Sequence, residues 1–166
     1  MLLGLAKILD TPGASLPFQV SLDLSDLSFG TCKPAAEPVI AEGVIRNTAG
    51  VLLMRGSVST NLHCVCDRCT AAFQRAVTYP IDVVLVSELS QEEDEDPWVF
   101  ELNGDSADLD EIVTTVFVLS MEPKFLCSED CKGLCCRCGA NLNLGPCSCR
   151  KEPDPRFAAL KQLLDK

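Results

Sequence analysis

Seven cysteines fall between Cys127 and Cys149, in CSEDCKGLCCRCGANLNLGPCSC, and a further pair, Cys66-Asp-Arg-Cys69, stands well upstream. Thiolates are soft metal ligands, and a Cys-x-x-Cys turn presents two sulfurs from one loop while its backbone amides donate to them. Zinc takes four such ligands in a tetrahedron, so two half-sites close one structural site. The half-sites here are Cys66/Cys69, Cys127/Cys131, Cys135/Cys138 and Cys147/Cys149, with Gly139 permitting a tight turn after the third. Four pairs make two sites, and two zinc ions are expected. The preferred pairing joins Cys66, Cys69, Cys127 and Cys131 over a long range and leaves Cys135, Cys138, Cys147 and Cys149 as a local finger. Spacing alone also admits the alternative, 66/69 with 135/138 and 127/131 with 147/149. Cys32, Cys64 and Cys136 are left over in either scheme and read as small buried hydrophobes with free thiols.

Other chemistries fit these residues less well. Iron–sulfur ligands usually come in a longer run with characteristic gaps that this chain does not reproduce. A catalytic zinc keeps an open position and favours histidine or carboxylate ligands, whereas all-thiolate sites are closed. A thioredoxin-like role for Cys66/Cys69 needs a strand-to-helix setting, and this pair sits between two strand-like segments. The only histidine, His63, alternates to the face opposite Cys64 and Cys66, so it is read as structural. Eleven cysteines in a secreted chain would suggest a disulfide scaffold, but such scaffolds are usually shorter and follow an export signal. The opening MLLGLAKILDTPG is too brief for a membrane span and carries Lys7 inside its apolar run rather than ahead of it. A cytoplasmic protein with reduced thiols is therefore expected.

The elements that must hold these ligands are mostly strands. Phe18 to Leu24, Pro38 to Arg46, Val51 to Cys66 and Phe73 to Val86 cluster β-favouring residues between Gly, Pro and Asn punctuation, with a hairpin turn at Asn47–Gly50. Ser87–Pro97 packs six carboxylates into eleven residues and reads as a solvated loop, with a docking strip for a basic partner as its functional alternative. Trp98–Glu101 follows as one more strand and Asn103-Gly104 as a turn. Leu109, Ile112, Val113, Val116, Phe117 and Leu119 then recur at helical spacing, with Asp108 as N-cap and Glu111 as its capping-box partner, predicting a helix over 108–120. A second, short helix is predicted after Asp154-Pro155, where Phe157, Leu160, Leu163 and Leu164 make an apolar stripe. The expected fold is α+β: a small curled antiparallel sheet or partial barrel with one or two helices and a cysteine-rich, zinc-binding C-terminal segment. The expected organisation is a β-rich body over 1–123 and the zinc-binding segment with its helix over 124–166.

Charge bears on partners. The chain carries −10 overall, and Lys124 onward holds eight basic against five acidic residues, so residues 1–123 carry −13. Two four-thiolate zinc sites would add about −2 each. That field disfavours general phosphate-backbone binding and favours a basic protein partner. Direct RNA contact is assigned to Arg137, Arg150, Lys151 and Arg156, with few aromatic stacking platforms to help, since the chain has one Trp and one Tyr.

CKGLCCRCGANLNLGPCSC, preceded by a helix and a proline and followed by DPRFAALKQLL, resembles the YceD family of bacterial and plastid large-subunit ribosomal RNA accumulation proteins. Gly133, Leu134, Gly139, Asn141, Leu142 and Asn143 carry the likeness with the cysteines, and Cys66-Asp-Arg-Cys69 fits the family's upstream pair. Cys136 departs from it, standing where the family often has proline. The resemblance implies a non-enzymatic ribosome biogenesis factor that supports processing or accumulation of large-subunit (23S) rRNA by binding a ribosomal protein or pre-rRNA. It also implies that Cys66, Cys69, Cys127 and Cys131 are the ligand set retained when members lack the second block. An RNA-processing enzyme or a thiol redox or metal-sensing protein is the alternative. The enzyme reading lacks a histidine base, a carboxylate pair at readable spacing and a phosphate-cradling glycine loop.

Overall fold

Runs of Val, Ile, Leu and Thr with period-two alternation dominate the first hundred residues, and β-branched side chains pack well on a pleated, half-buried surface. The computed structural model describes residues 1–34, 37–88 and 96–149. Its elements run β1 (Leu2–Gly4), α1 (Ala6–Leu9), β2 (Ser15–Leu22), β3 (Cys32–Pro34), β4 (Val39–Thr48), β5 (Val51–Val65), β6 (Ala72–Val86), β7 (Val99–Glu101), β8 (Ser106–Asp108) and α2 (Leu109–Ser120). The main sheet has the order β2-β4-β5-β6-β7, with β3 pairing β5 beyond the end of β4, and β1 and β8 form a separate two-stranded ribbon. The expected helix and its Asp108 cap are present, the Asp108 carboxylate accepting from the Asp110 amide.

One expectation about the sheet needs correction. It is not wholly antiparallel, because β7 lies parallel to β6 in the register Val84↔Val99 to Val86↔Glu101. The sheet is open: β2 and β7 end the order without pairing each other. Gly43 and Gly56 are register partners on the core-facing side, and a Cβ on either would stand 2.1 Å from a carbonyl oxygen of the facing strand. Only two glycines let the backbones approach so closely.

Against one face of the sheet lies α2, which leaves Leu119 of the expected stripe exposed and buries Leu109, Ile112, Val113, Val116 and Phe117. Each contributes about 1.5–3 kcal/mol on burial, which outweighs the few tenths lost to the weak helix propensity of each Val and Thr. Phe117 meets Phe29 edge-on at a centroid distance of 5.8 Å and Tyr79 at 6.0 Å, tying the β2–β3 connection and β6 to the helix. The β4–β5 hairpin turns at Ala49-Gly50 with φ of 54° and 94°, the conformation a two-residue turn of this twist requires. Buried Asn47 anchors it, accepting from the Gly50 amide and donating to the carbonyls of Ile8 and Leu9.

Single-turn α1 and the three-residue strands β1, β3 and β8 escape the sequence reading, being too short to show a period. The larger surprise is in β3. Cys32 and Cys64 are register partners, both buried, and their sulfurs are joined in a disulfide, so they are not the free thiols expected. The third leftover cysteine, Cys136, is a free thiol as expected but is exposed rather than buried. Arg150, Lys151, Arg156, the helix after Asp154 and most of the acidic loop lie outside the described residues.

Candidate metal centre

Strand β5 delivers the chain to Cys66, where it leaves the sheet. The knuckle that follows is closed by two backbone bonds: the Cys66 amide donates to the Ala71 carbonyl at 2.9 Å and the Thr70 amide to the Cys66 carbonyl at 2.9 Å. Thr70 sits at φ 57°, an uncommon place for a β-branched residue. The second knuckle repeats this pattern bond for bond. Cys135 donates to Ala140 at 2.8 Å, Gly139 to Cys135 at 2.9 Å, and Gly139 takes φ 71° without the cost Thr70 bears.

Across the fold, Phe125 brings the end of the helical segment to the first knuckle. Its amide donates to the Asp67 carboxylate at 2.7 Å, and the Asp67 amide returns a bond to the Phe125 carbonyl at 3.0 Å. Thr31, next to Cys32, donates its hydroxyl to the other Asp67 oxygen at 2.9 Å. Asp67 therefore gathers the β3 loop, the knuckle and the post-helix segment at one point. These contacts set Cys127 and Cys131 against Cys66 and Cys69, with sulfur separations of 3.8 Å for Cys66–Cys131 and 3.6 Å for Cys69–Cys127. Cys66, Cys69 and Cys131 are buried beside Ala71, Phe73 and Leu126, and Cys127 is exposed.

Two groups of four sulfurs result: Cys66, Cys69, Cys127 and Cys131, and Cys135, Cys138, Cys147 and Cys149, each with all four ligand atoms within 4.8 Å of one another. The first grouping is the long-range one; the alternative that joins the two Cys-x-x-Cys knuckles is not assembled. A tetrahedron with metal–sulfur bonds of about 2.3 Å has edges of roughly 3.8 Å, so the measured separations suit a four-thiolate metal ion. His63 stays outside both groups, exposed and bonded through Nε2 to Gln74 at 2.8 Å.

Electrostatics divides each cluster into thiols pushed down and thiols pushed up. Burial raises Cys66, but the amides of Cys127, Cys69 and Arg68 outweigh it and bring the thiol down to about 6. The amides of Cys138 and Arg137 bring Cys135 to about 6. Cys131 is lowered, first by the Asn143 side chain. In the other direction, Cys127 is pushed up to about 12, chiefly by its bond to Cys69, and Cys149 to about 12, chiefly by its bond to Cys138. For Cys69 the Ala71 amide pulls down, yet burial and the neighbouring sulfurs win and the thiol is raised; Cys147 is raised likewise by Cys135 against the Cys149 amide. Crowded sulfurs cannot all ionise without a cation, and a divalent metal removes that conflict.

Residues that sequence reasoning did not assign complete the site. Arg68 donates to the Cys131 carbonyl at 3.0 Å, and Leu134 donates to the Arg68 carbonyl at 3.1 Å. Gly133 packs so close that a Cβ would stand 3.0 Å from the Arg68 oxygen. Gly133, Leu134, Asn141, Leu142 and Asn143 had a signal only as the residues that carry a family likeness; their physical roles needed the fold. Of the four basic residues assigned to RNA contact, Arg137 is exposed at the tip of the second knuckle, and the other three lie outside the described residues.

A family model described as "Large ribosomal RNA subunit accumulation protein YceD" matches residues 54–164, which takes in β5 from Met54 onward, α2 and both cysteine clusters. No curated protein and no solved structure matches the chain. Among the described residues no helix is long and apolar enough to cross a membrane.

Proposed function

The chain belongs to the YceD family, and we propose that it is a non-enzymatic factor in large-subunit ribosome biogenesis, supporting processing or accumulation of 23S rRNA by binding a basic ribosomal protein or an assembly intermediate. The observation that carries the reading is the pair of four-sulfur clusters. One of them fastens a cysteine-rich tail to a sheet 58 residues back in the chain, an architecture that rigidifies a surface. In this reading Cys66, Cys69, Cys127 and Cys131 hold one zinc ion and Cys135, Cys138, Cys147 and Cys149 a second. The β-rich body over 1–123 and the segment over 124–166 then act as one clamped unit in the cytoplasm. Closed all-thiolate zinc sites build structure and supply no open position for a substrate, which supports a binding role over hydrolysis.

A body of −13 steers toward a basic partner and is repelled by RNA at range. Protein contact is therefore placed first and RNA contact through Arg137, Arg150, Lys151 and Arg156 second. The test measures binding of the purified, zinc-loaded chain to isolated basic large-subunit proteins and, separately, to large-subunit RNA across a salt series. The expected result is association with a protein that weakens as salt rises. Tight RNA binding at physiological salt without any ribosomal protein would reverse the order of partners, and cleavage of precursor RNA by the chain would overturn the non-enzymatic reading.

A further inference from the structure

Asn143 belongs by sequence to the second cluster and by contact to the first. It lies in the loop between Cys138 and Cys147, where the Asn143 amide donates to the Asn141 side chain at 2.9 Å and the Leu142 amide to the Gly133 carbonyl at 2.9 Å. Its own side chain leaves that loop. Oδ1 accepts from the Lys132 amide at 2.7 Å, and Nδ2 donates to the Cys131 sulfur at 3.3 Å. The orientation is fixed chemically: the Lys132 amide is only a donor, so the oxygen must face it and the NH2 group must face the sulfur.

We propose that Asn143 couples the two cysteine clusters, so that a soft divalent cation bound at the second raises the affinity of the first. This rests on the reading of both clusters as metal sites. When the second cluster closes on its ion, the 139–146 loop is ordered and the Asn143 amide stands ready at Cys131. When the second cluster is open, the cost of ordering that loop falls on the first site instead. A hydrogen bond from outside the ligand set to a ligating sulfur is worth about 10–100-fold in metal affinity. Because coupling between two binding equilibria is reciprocal, filling the first cluster strengthens the second by the same factor.

The experiment uses the full chain and cobalt(II), whose thiolate charge-transfer bands report each site, titrated against a chelator of known affinity. In Cys147→Ser/Cys149→Ser, the first site is expected to bind about 10–100-fold more weakly than in the wild type. Asn143→Asp keeps an acceptor for Lys132 but loses the donor to Cys131. It is expected to weaken the first site similarly even with the second filled, and to move that site's charge-transfer band to lower energy. Adding Asn143→Asp to the double serine variant should cost little more, since both changes remove the same link. Unchanged first-site affinity and spectrum in Asn143→Asp, or strictly additive losses, overturns the coupling while leaving two metal sites standing. Absence of cobalt uptake by the wild-type chain overturns the metal reading itself.

Discussion

At the scale of single residues the clusters behave as proton stores. With Cys66 and Cys135 near 6 and Cys69, Cys127, Cys147 and Cys149 all raised above the ordinary thiol value of 9.0, a neutral solution finds the first two ionised and the other four protonated. A metal ion binds the thiolate, so each site must expel at least the two protons held by its raised thiols. The sign follows: metal-bound clusters hold fewer protons than metal-free ones, so metal affinity and the stability it confers rise with pH. Below about 6, Cys66 and Cys135 protonate as well and the loss steepens. Zinc added to metal-free chain in weak buffer at pH 7 is expected to release four or more protons per chain. Release of fewer than four would mean that the eight sulfurs are not all ligands.

Among the elements, β3 shows where the sequence stops being legible. The long strands, the hairpin turn, α2 and the four half-sites could all be read because each carries a period, a turn signal or a knuckle spacing. A three-residue strand carries none of these, and the pairing of Cys32 with Cys64 exists only once β3 lies across β5. Asp67 was equally invisible as more than a knuckle residue, because its partners Thr31 and Phe125 are distant in sequence. The bridge matters to the site through Thr31, whose carbonyl accepts from Val65 at 3.0 Å while its hydroxyl holds Asp67. Denatured, metal-free chain is expected to show nine free thiols before reduction and eleven after. Cys32→Ser should cost about 3–4 kcal/mol for a cross-link spanning 32 residues, read as a lowered denaturation midpoint. Eleven thiols without reductant would remove the bridge from the account.

For the whole molecule, the two clusters differ in what they enclose. The first closes a loop of 58 residues between Cys69 and Cys127, and the second closes nine between Cys138 and Cys147. Loop-closure entropy alone makes the first worth about 1.7 kcal/mol more as a constraint on the unfolded chain, from the logarithm of that length ratio. Position adds to the difference. Cys66 follows directly on β5 at the centre of the sheet, and Phe125 is part of the main core, so freeing the first cluster exposes Phe73 and Leu126 as well as the ligands. Freeing the second releases only residues beyond Gly133 and the Asn143 contact. Cys66→Ser is therefore expected to speed amide exchange through the ends of β5, β6 and α2, with a lowered melting temperature for the body. Cys147→Ser should leave exchange in those elements slow and raise it mainly from residue 133 onward. If both substitutions loosen the sheet equally, the first cluster is not the clamp between tail and body, and the tail must be held to the sheet by contacts other than that cluster.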